Sequence, residues 1–159
     1  MKTKLSFTTL TKPWKFSYIN SDIEKNFPLE PIRSSDYKLF HFDKYISSEN
    51  VVKEMENEGY SPATLSELLS WKDCNRDDWV IALGQSAQVG GSRGVPGLWL
   101  GGGWRIDLNH WGGVWFSGVR FLAVRNSILG SSSLSDTLSL ELRVEKLEEI
   151  LKHYNLVLP

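Results

Sequence analysis

Residues 95–126, VPGLWLGGGWRIDLNHWGGVWFSGVRFLAVRN, change character part-way. Four of the chain's seven tryptophans (Trp99, Trp104, Trp111, Trp115) lie in the first part, with Phe116, His110 and a run of glycines. The last part, RFLAVRN, is a plain apolar run of the kind that a buried strand carries. Tryptophan supplies a large apolar area and one N–H donor, so rings on short glycine-bordered strands serve either as core or as a contact surface. An irregular aromatic segment hung on a regular strand suggests a binding surface on a rigid support.

Eleven of the thirteen glycines fall between Gly84 and Gly118, so this half is expected to form turns and short strands rather than helix. Strands are expected near 97–100, 104–109, 114–116 and 119–125, with an ordinary connection over 85–94. GQSAQVGGSRG (84–94) lacks the Gly-Lys-Ser/Thr ending of a phosphate cradle.

Upstream, YKLFHF (37–42) alternates and reads as a strand. In SSENVVKEMENEG (47–59), Ser47 or Ser48 caps a helix with Val51, Val52 and Met55 on one face and Gly59 at its end. Thr64 and Glu67 have the spacing of a capping box for a second helix, whose apolar face is Leu65, Leu68, Leu69 and Trp71. WVIALG (79–84) is a short buried-strand run. Residues 1–35 carry Pro13, Pro28 and Pro31 and little periodicity, and read as an extended arm with one short strand. In the tail, Leu140, Val144, Leu147, Leu151 and Tyr154 follow an a/d seam. TLSLELRV (137–144) also alternates as a strand would, and both readings stand. The expected organisation is an N-terminal arm (1–35), a domain (36–126), and a linker with a C-terminal helix suited to homo-oligomerisation (127–159).

Composition narrows the function. A length of 159 residues supports a real core without metal or disulfide staples. The net charge is −1 with scattered Lys and Arg, so no nucleic-acid footprint is expected. No apolar run reaches the roughly 18 residues of a membrane span, and no signal peptide is evident. A soluble chain is expected, in a compartment the sequence does not specify; association with a virion or a cell surface stays open. The single cysteine, Cys74, reads as a small buried or half-buried residue.

The order strand, helix, helix carrying G-Y-x-P-A-T-x-x-E-L-L, buried strand, Gly-rich loop, and short strands closing in W-x-x-x-x-R-F-L-A-V-R resembles the C-type-lectin-like fold. The resemblance is to its reduced, calcium-free form. That form occurs in the variable proteins of diversity-generating retroelements and in formylglycine-generating-enzyme-type domains. Gly59, Tyr60, Pro62, Ala63, Thr64 and Glu67 match the helix motif in outline, and Trp111, Trp115, Arg120, Phe121 and Arg125 match the closing region. The resemblance covers about residues 37–126. It implies an α+β fold with two helices packed on short antiparallel strands, and a hypervariable ligand-binding surface over about 97–119.

The candidate ligand-binding residues are Trp99, Gly101, Gly102, Trp104, Asp107, Asn109, His110, Trp111, Val114, Phe116 and Gly118. Trp99 and Trp104 are expected to be partly exposed and Trp115 to be core. Trp111 is open to either role. Asp107, Asn109 and His110 read as polar contacts among the aromatics or as solvated strand residues. Calcium requires six to eight oxygens, and Asp107 is the one carboxylate near, so no calcium site is expected. His110 has no Cys or His at ligand spacing, so no zinc is expected either. No catalytic triad or carboxylate pair is recognisable, and the cysteines that formylglycine-generating enzymes use near the domain's end are missing here. The chain is therefore expected to be no enzyme and to need no cofactor. Its expected partner is a protein or cell-surface ligand, or further copies of itself through the aromatic segment and C-terminal helix. Arg120 is expected to bond loop carbonyls or an acid such as Glu67.

Overall fold

The computed structural model describes residues 5–72 and 79–126. By contacts the chain forms two units, 1–125 and 126–159. Cys74 and the C-terminal a/d seam, with its strand-or-helix question, lie outside the described residues.

The fold is α+β. Helix α1 spans Phe7–Thr11, followed by a 3-10 turn at Lys12–Trp14, strand β1 (Tyr18–Ile19) and helix α2 (Ser21–Asn26). Then come β2 (Tyr37–His41), β3 (Ile46–Ser47), helix α3 (Ser48–Asn57), β4 (Tyr60–Pro62) and helix α4 (Leu65–Ser70). From Trp79 to Arg125 every regular element is a strand: β5 (Trp79–Ile81), β6 (Ala87–Val89), β7 (Ser92–Leu100), β8 (Trp104–His110), β9 (Val114–Trp115) and β10 (Val119–Arg125).

The large sheet runs β1-β8-β7-β5-β10-β2, with β4 beside β10 and β6 beside β7; β3 and β9 form a separate pair. The sheet is mixed, which corrects the antiparallel expectation: β1 runs parallel to β8, and β10 runs parallel to β5. The reason is the return of the chain. After the β6-β7-β8 meander, β10 comes back to insert between β5 and β2, pairing Phe121 with Ile81 on one side and with Phe40 on the other.

Strand alternation places one core on each face. Even-numbered Val80, Ala82, Leu98, Ile106 and Leu122 pack with Ile23, Phe27, Leu65, Leu68 and Trp71. Odd-numbered Ile81, Leu83, Val95, Val119, Phe121 and Ala123 pack with Val51 and Met55 of α3 and with Ile46 and Trp115. Covering both faces explains why VRFLAVR is continuously apolar rather than alternating. Each fully buried Leu, Ile or Phe contributes about 2 kcal/mol of transfer free energy.

Both helices expected from the sequence form with the expected caps. Ser47 Oγ accepts from the Asn50 N–H, and Thr64 and Glu67 make the reciprocal capping box. Glu67 is fully buried. Its partner is Arg33, through Nη2 (2.7 Å), Nε (3.1 Å) and the backbone N–H (3.0 Å). The acid expected for Arg120 is thus served by an arginine from the presumed arm.

That arm is a second correction. Ile23 and Phe27 sit at 0% and 1% exposure in the even-face core. Trp14 Nε1–H donates to the Leu69 carbonyl at the end of α4 (2.7 Å), satisfying one of that helix's orphan acceptors. The one short strand expected in this stretch is present as β1, whereas the helix capped by Asn20 was not expected, its six residues being too few to show periodicity.

The 85–94 connection is also more ordered than expected. Gly90 and Gly91 both have positive φ (57° and 80°) and join β6 to β7 as a two-residue hairpin, with Val89 opposite Ser92.

Candidate functional site

The expected contact residues divide between the two faces of the β7-β8 hairpin and the loop that follows. Register sets Trp99 opposite Arg105, Gly97 opposite Asp107, and Val95 opposite Asn109, all on the odd face. There the odd-face core stops at β7. Val95 is fully buried, whereas Trp99, Arg105, Asp107 and Asn109 are half-buried. Trp104 and His110 project from the even face. Trp104 meets Trp14 edge-on at 5.4 Å between centroids and is half-buried; His110 is exposed.

The backbone beneath these residues is held in several places. Strand β1 pairs Tyr18 with Arg105, and the Asn20 N–H donates to the Ile106 carbonyl (3.0 Å). The Asn20 side-chain amide donates to Asp107 Oδ1 (2.8 Å), which also accepts the Leu108 N–H (2.8 Å). Gly101, Gly102 and Gly103 make the β7-β8 turn. A Cβ on Gly101 would fall onto the ring of Trp99, so this glycine lets the indole fold back over the turn.

The loop from Trp111 to Gly118 is pinned to α3 through Ser48, which is fully buried. Its hydroxyl donates to the Trp111 carbonyl (2.7 Å) and accepts from Trp115 Nε1–H (2.8 Å). Trp115 is core, as expected, with its ring edge-on to Phe121 at 5.7 Å. Trp111 takes a mixed role. Its ring lies 3.6 Å under the Arg93 guanidinium, and its Nε1–H donates to Glu49 (2.9 Å). That hydrogen bond, with the charge of Arg93 behind it, holds the Glu49 carboxyl below the usual carboxylate value.

Between these pinned tryptophans the chain exposes Val114 (65%) and Phe116 (44%). Phe116 leans on Trp79 at 5.1 Å, with exposed Gly118 beside its ring. An open cleft of about 440 Å³ adjoins Val114, lined by Lys44, Tyr45, Ser47, Asn50 and Lys53.

Sequence reading missed Arg105, Tyr18, Asn20, Ser48 and Arg93. For Arg105 a signal existed: in WRIDLNH, residues 105, 107 and 109 alternate with Ile106, which places them together on one face. For Tyr18 and Asn20 the pairing partner lies nearly ninety positions away, and no local pattern announces it.

Among the described residues no group of three or more His, Cys, Asp or Glu side chains is placed to hold a metal ion. No described helix is long and apolar enough to cross a membrane. Fold and site together define an α+β protein with a half-open, aromatic-rich sheet face and an adjoining braced loop. No family model, curated protein or solved structure matches this chain.

Proposed function

We propose that this is a ligand-binding protein of C-type-lectin-like fold, resembling the variable proteins of diversity-generating retroelements, with residues 97–119 as its recognition surface. The observation that carries this reading is the division of labour along that segment. Leu98, Ile106, Trp115 and Val119 are buried, while Trp99, Asn109, His110, Val114 and Phe116 keep solvent-facing surface on a backbone braced by β1 and Ser48. Such positions can change without removing core. The element order strand, helix, helix, buried strand and meander, closed by the pairing of β2 with β10, is compatible with that fold. The function is recognition without chemistry, and the partner is a protein or a cell-surface ligand.

The test is combined replacement of Asn109, His110, Val114 and Phe116 by other polar or aromatic residues. Melting temperature should stay within a few degrees, about 1 kcal/mol of stability. Collapse of the fold would make these residues structural. The coding region supplies a second test. A nearby reverse transcriptase with a near-copy of the segment for residues 97–119, differing at adenines, is expected; a near-copy whose differences avoid adenines counts against the reading.

A subunit-interface reading is favoured by one observation, the exposure of Tyr45 (72%) and Val114 (65%) on the same cleft. Light scattering of the full chain and of V114E separates the two. A concentration-dependent oligomer that V114E dissolves supports the interface, and a monomer in both supports display.

A further inference from the structure

We infer that the odd face of β8 carries an oxyanion subsite centred on Arg105, selective for a carboxylate or phosphate borne on a flat ring; this rests on the recognition reading above. Arg105 stands in a cross-strand row between Tyr18 on β1 and Trp99 on β7. Its guanidinium carbon lies 4.5 Å from the Tyr18 ring centroid and 5.0 Å from that of Trp99. Among the described residues its side chain makes no hydrogen bond and no ion pair, and its Nε is buried without a partner. The neighbouring polar groups are committed elsewhere: Asn20 and the Leu108 N–H to Asp107 Oδ1, and the Asn109 amide to the Asp107 carbonyl.

An arginine presents five N–H donors in a planar fork that matches a carboxylate or phosphate edge. One of these donors, the Arg105 Nε–H, is buried without a partner, which is costly, and an oxyanion that reaches it removes the cost. The two flanking rings hold the guanidinium by cation–π attraction and offer apolar surface beside it. Hence the favoured ligand carries its anionic group on an aromatic or similarly flat body. Asp107 lies two residues along the same face, so its charge opposes the anion and sets an upper limit on affinity.

The test is titration of the 15N-labelled full chain with benzoate, phenyl phosphate and the neutral isostere benzamide. The readouts are the Nε–H signal of Arg105 and the indole N–H of Trp99. Both anions should move both signals, and benzamide should move neither by a comparable amount. The tighter of the two anions identifies the oxyanion as carboxylate or phosphate. R105Q should weaken benzoate binding by about tenfold or more. R105K, which keeps the charge without the fork, should fall between. Equal shifts with benzamide, or undiminished benzoate binding by R105Q or R105K, would overturn the assignment. The wild-type comparison alone decides the matter if R105Q does not fold. Failure here with the combined Asn109, His110, Val114 and Phe116 variant still folded would remove the oxyanion subsite and leave the recognition reading intact. Benzoate binding with that combined variant unfolded would do the reverse.

Discussion

Replacing Ser48 by alanine tests the brace on which the exposed loop depends. The side chain is small and fully buried, so losing its oxygen opens little space, and the effect is almost wholly polar. Two bonds disappear: Ser48 Oγ–H to the Trp111 carbonyl (2.7 Å) and Trp115 Nε1–H to Ser48 Oγ (2.8 Å). The carbonyl belongs to a half-buried residue and can turn to water, at a cost of about 1 kcal/mol. The indole N–H belongs to a ring only 8% exposed and is left without an acceptor, at about 1–2 kcal/mol. The expected loss is about 2–3 kcal/mol, a sizeable part of the roughly 5–15 kcal/mol that holds a domain together. Urea unfolding followed by tryptophan fluorescence measures it cleanly, because all seven tryptophans lie between positions 14 and 115. Trp115→Phe removes the donor while keeping the ring against Phe121. In that background S48A should cost about 1 kcal/mol less, so the double-mutant cycle isolates the bond. An S48A variant within about 0.5 kcal/mol of the wild type would refute the brace, since the loop would then be held by something else.

Two further predictions concern the scaffold. Burial pushes the Glu67 carboxyl up, but the hydrogen bonds and charge of Arg33 and the Thr64 N–H outweigh it and hold the folded value below the usual 4.5. The group therefore adds stability above the ordinary carboxylate range, lost as pH falls through the lowered folded value. Urea midpoints measured from about pH 7 down to about pH 3 should show this fall in the wild type and less of it in E67Q, and an identical profile in both would refute it. Gly84→Ala should abolish folding, because its Cβ would fall onto the carbonyl oxygens of Pro62 and Ala63, backbone atoms in the β4 segment that cannot swing away. A soluble G84A chain with wild-type fluorescence would show that β4 has room to move.

Local signals made the middle of the chain legible. The caps at Ser47 and Thr64 satisfy helix N–H groups within three residues, so sequence spacing alone reveals them. The apolar run 119–125 needs no partner to be recognised as a buried strand. The N-terminal region was opaque for the opposite reason. Phe27, Ile23, Asn20 and Trp14 take their roles from β8 and α4, and elements of two to six residues carry no periodicity of their own. The Gly90-Gly91 hairpin was readable in principle, as two adjacent glycines between short apolar-polar alternations. At the site, the partial exposure of Trp99 and Trp104 followed from their place beside the glycine triplet. Which residues of β7 and β1 stand beside those of β8 required register, which a glycine-rich turn at 101–103 leaves undetermined from sequence.

The pins also narrow the proposed recognition surface from within. Asp107 looks like a free polar side chain in the sequence, yet its Oδ1 anchors Asn20, and Asn20 in turn caps α2 through the Asp22 N–H. Varying Asp107 therefore loosens β1 and the helix after it, a loss of about 1–2 kcal/mol for the cap alone if Asn20 is released. Trp104 is held against Trp14, whose own indole closes α4, so it too is tied to the core. Gly101 is fixed by the ring of Trp99, and Trp111 by Arg93 and Glu49. What remains for recognition is a smaller set: Trp99, Arg105 and Asn109 on the sheet face, and His110, Val114 and Phe116 at the loop. These six can differ in chemistry because none supplies a bond on which another element's position depends. A surface built this way varies its contacts at little cost to the fold, provided variation stays off Asp107, Trp104 and the glycines between them.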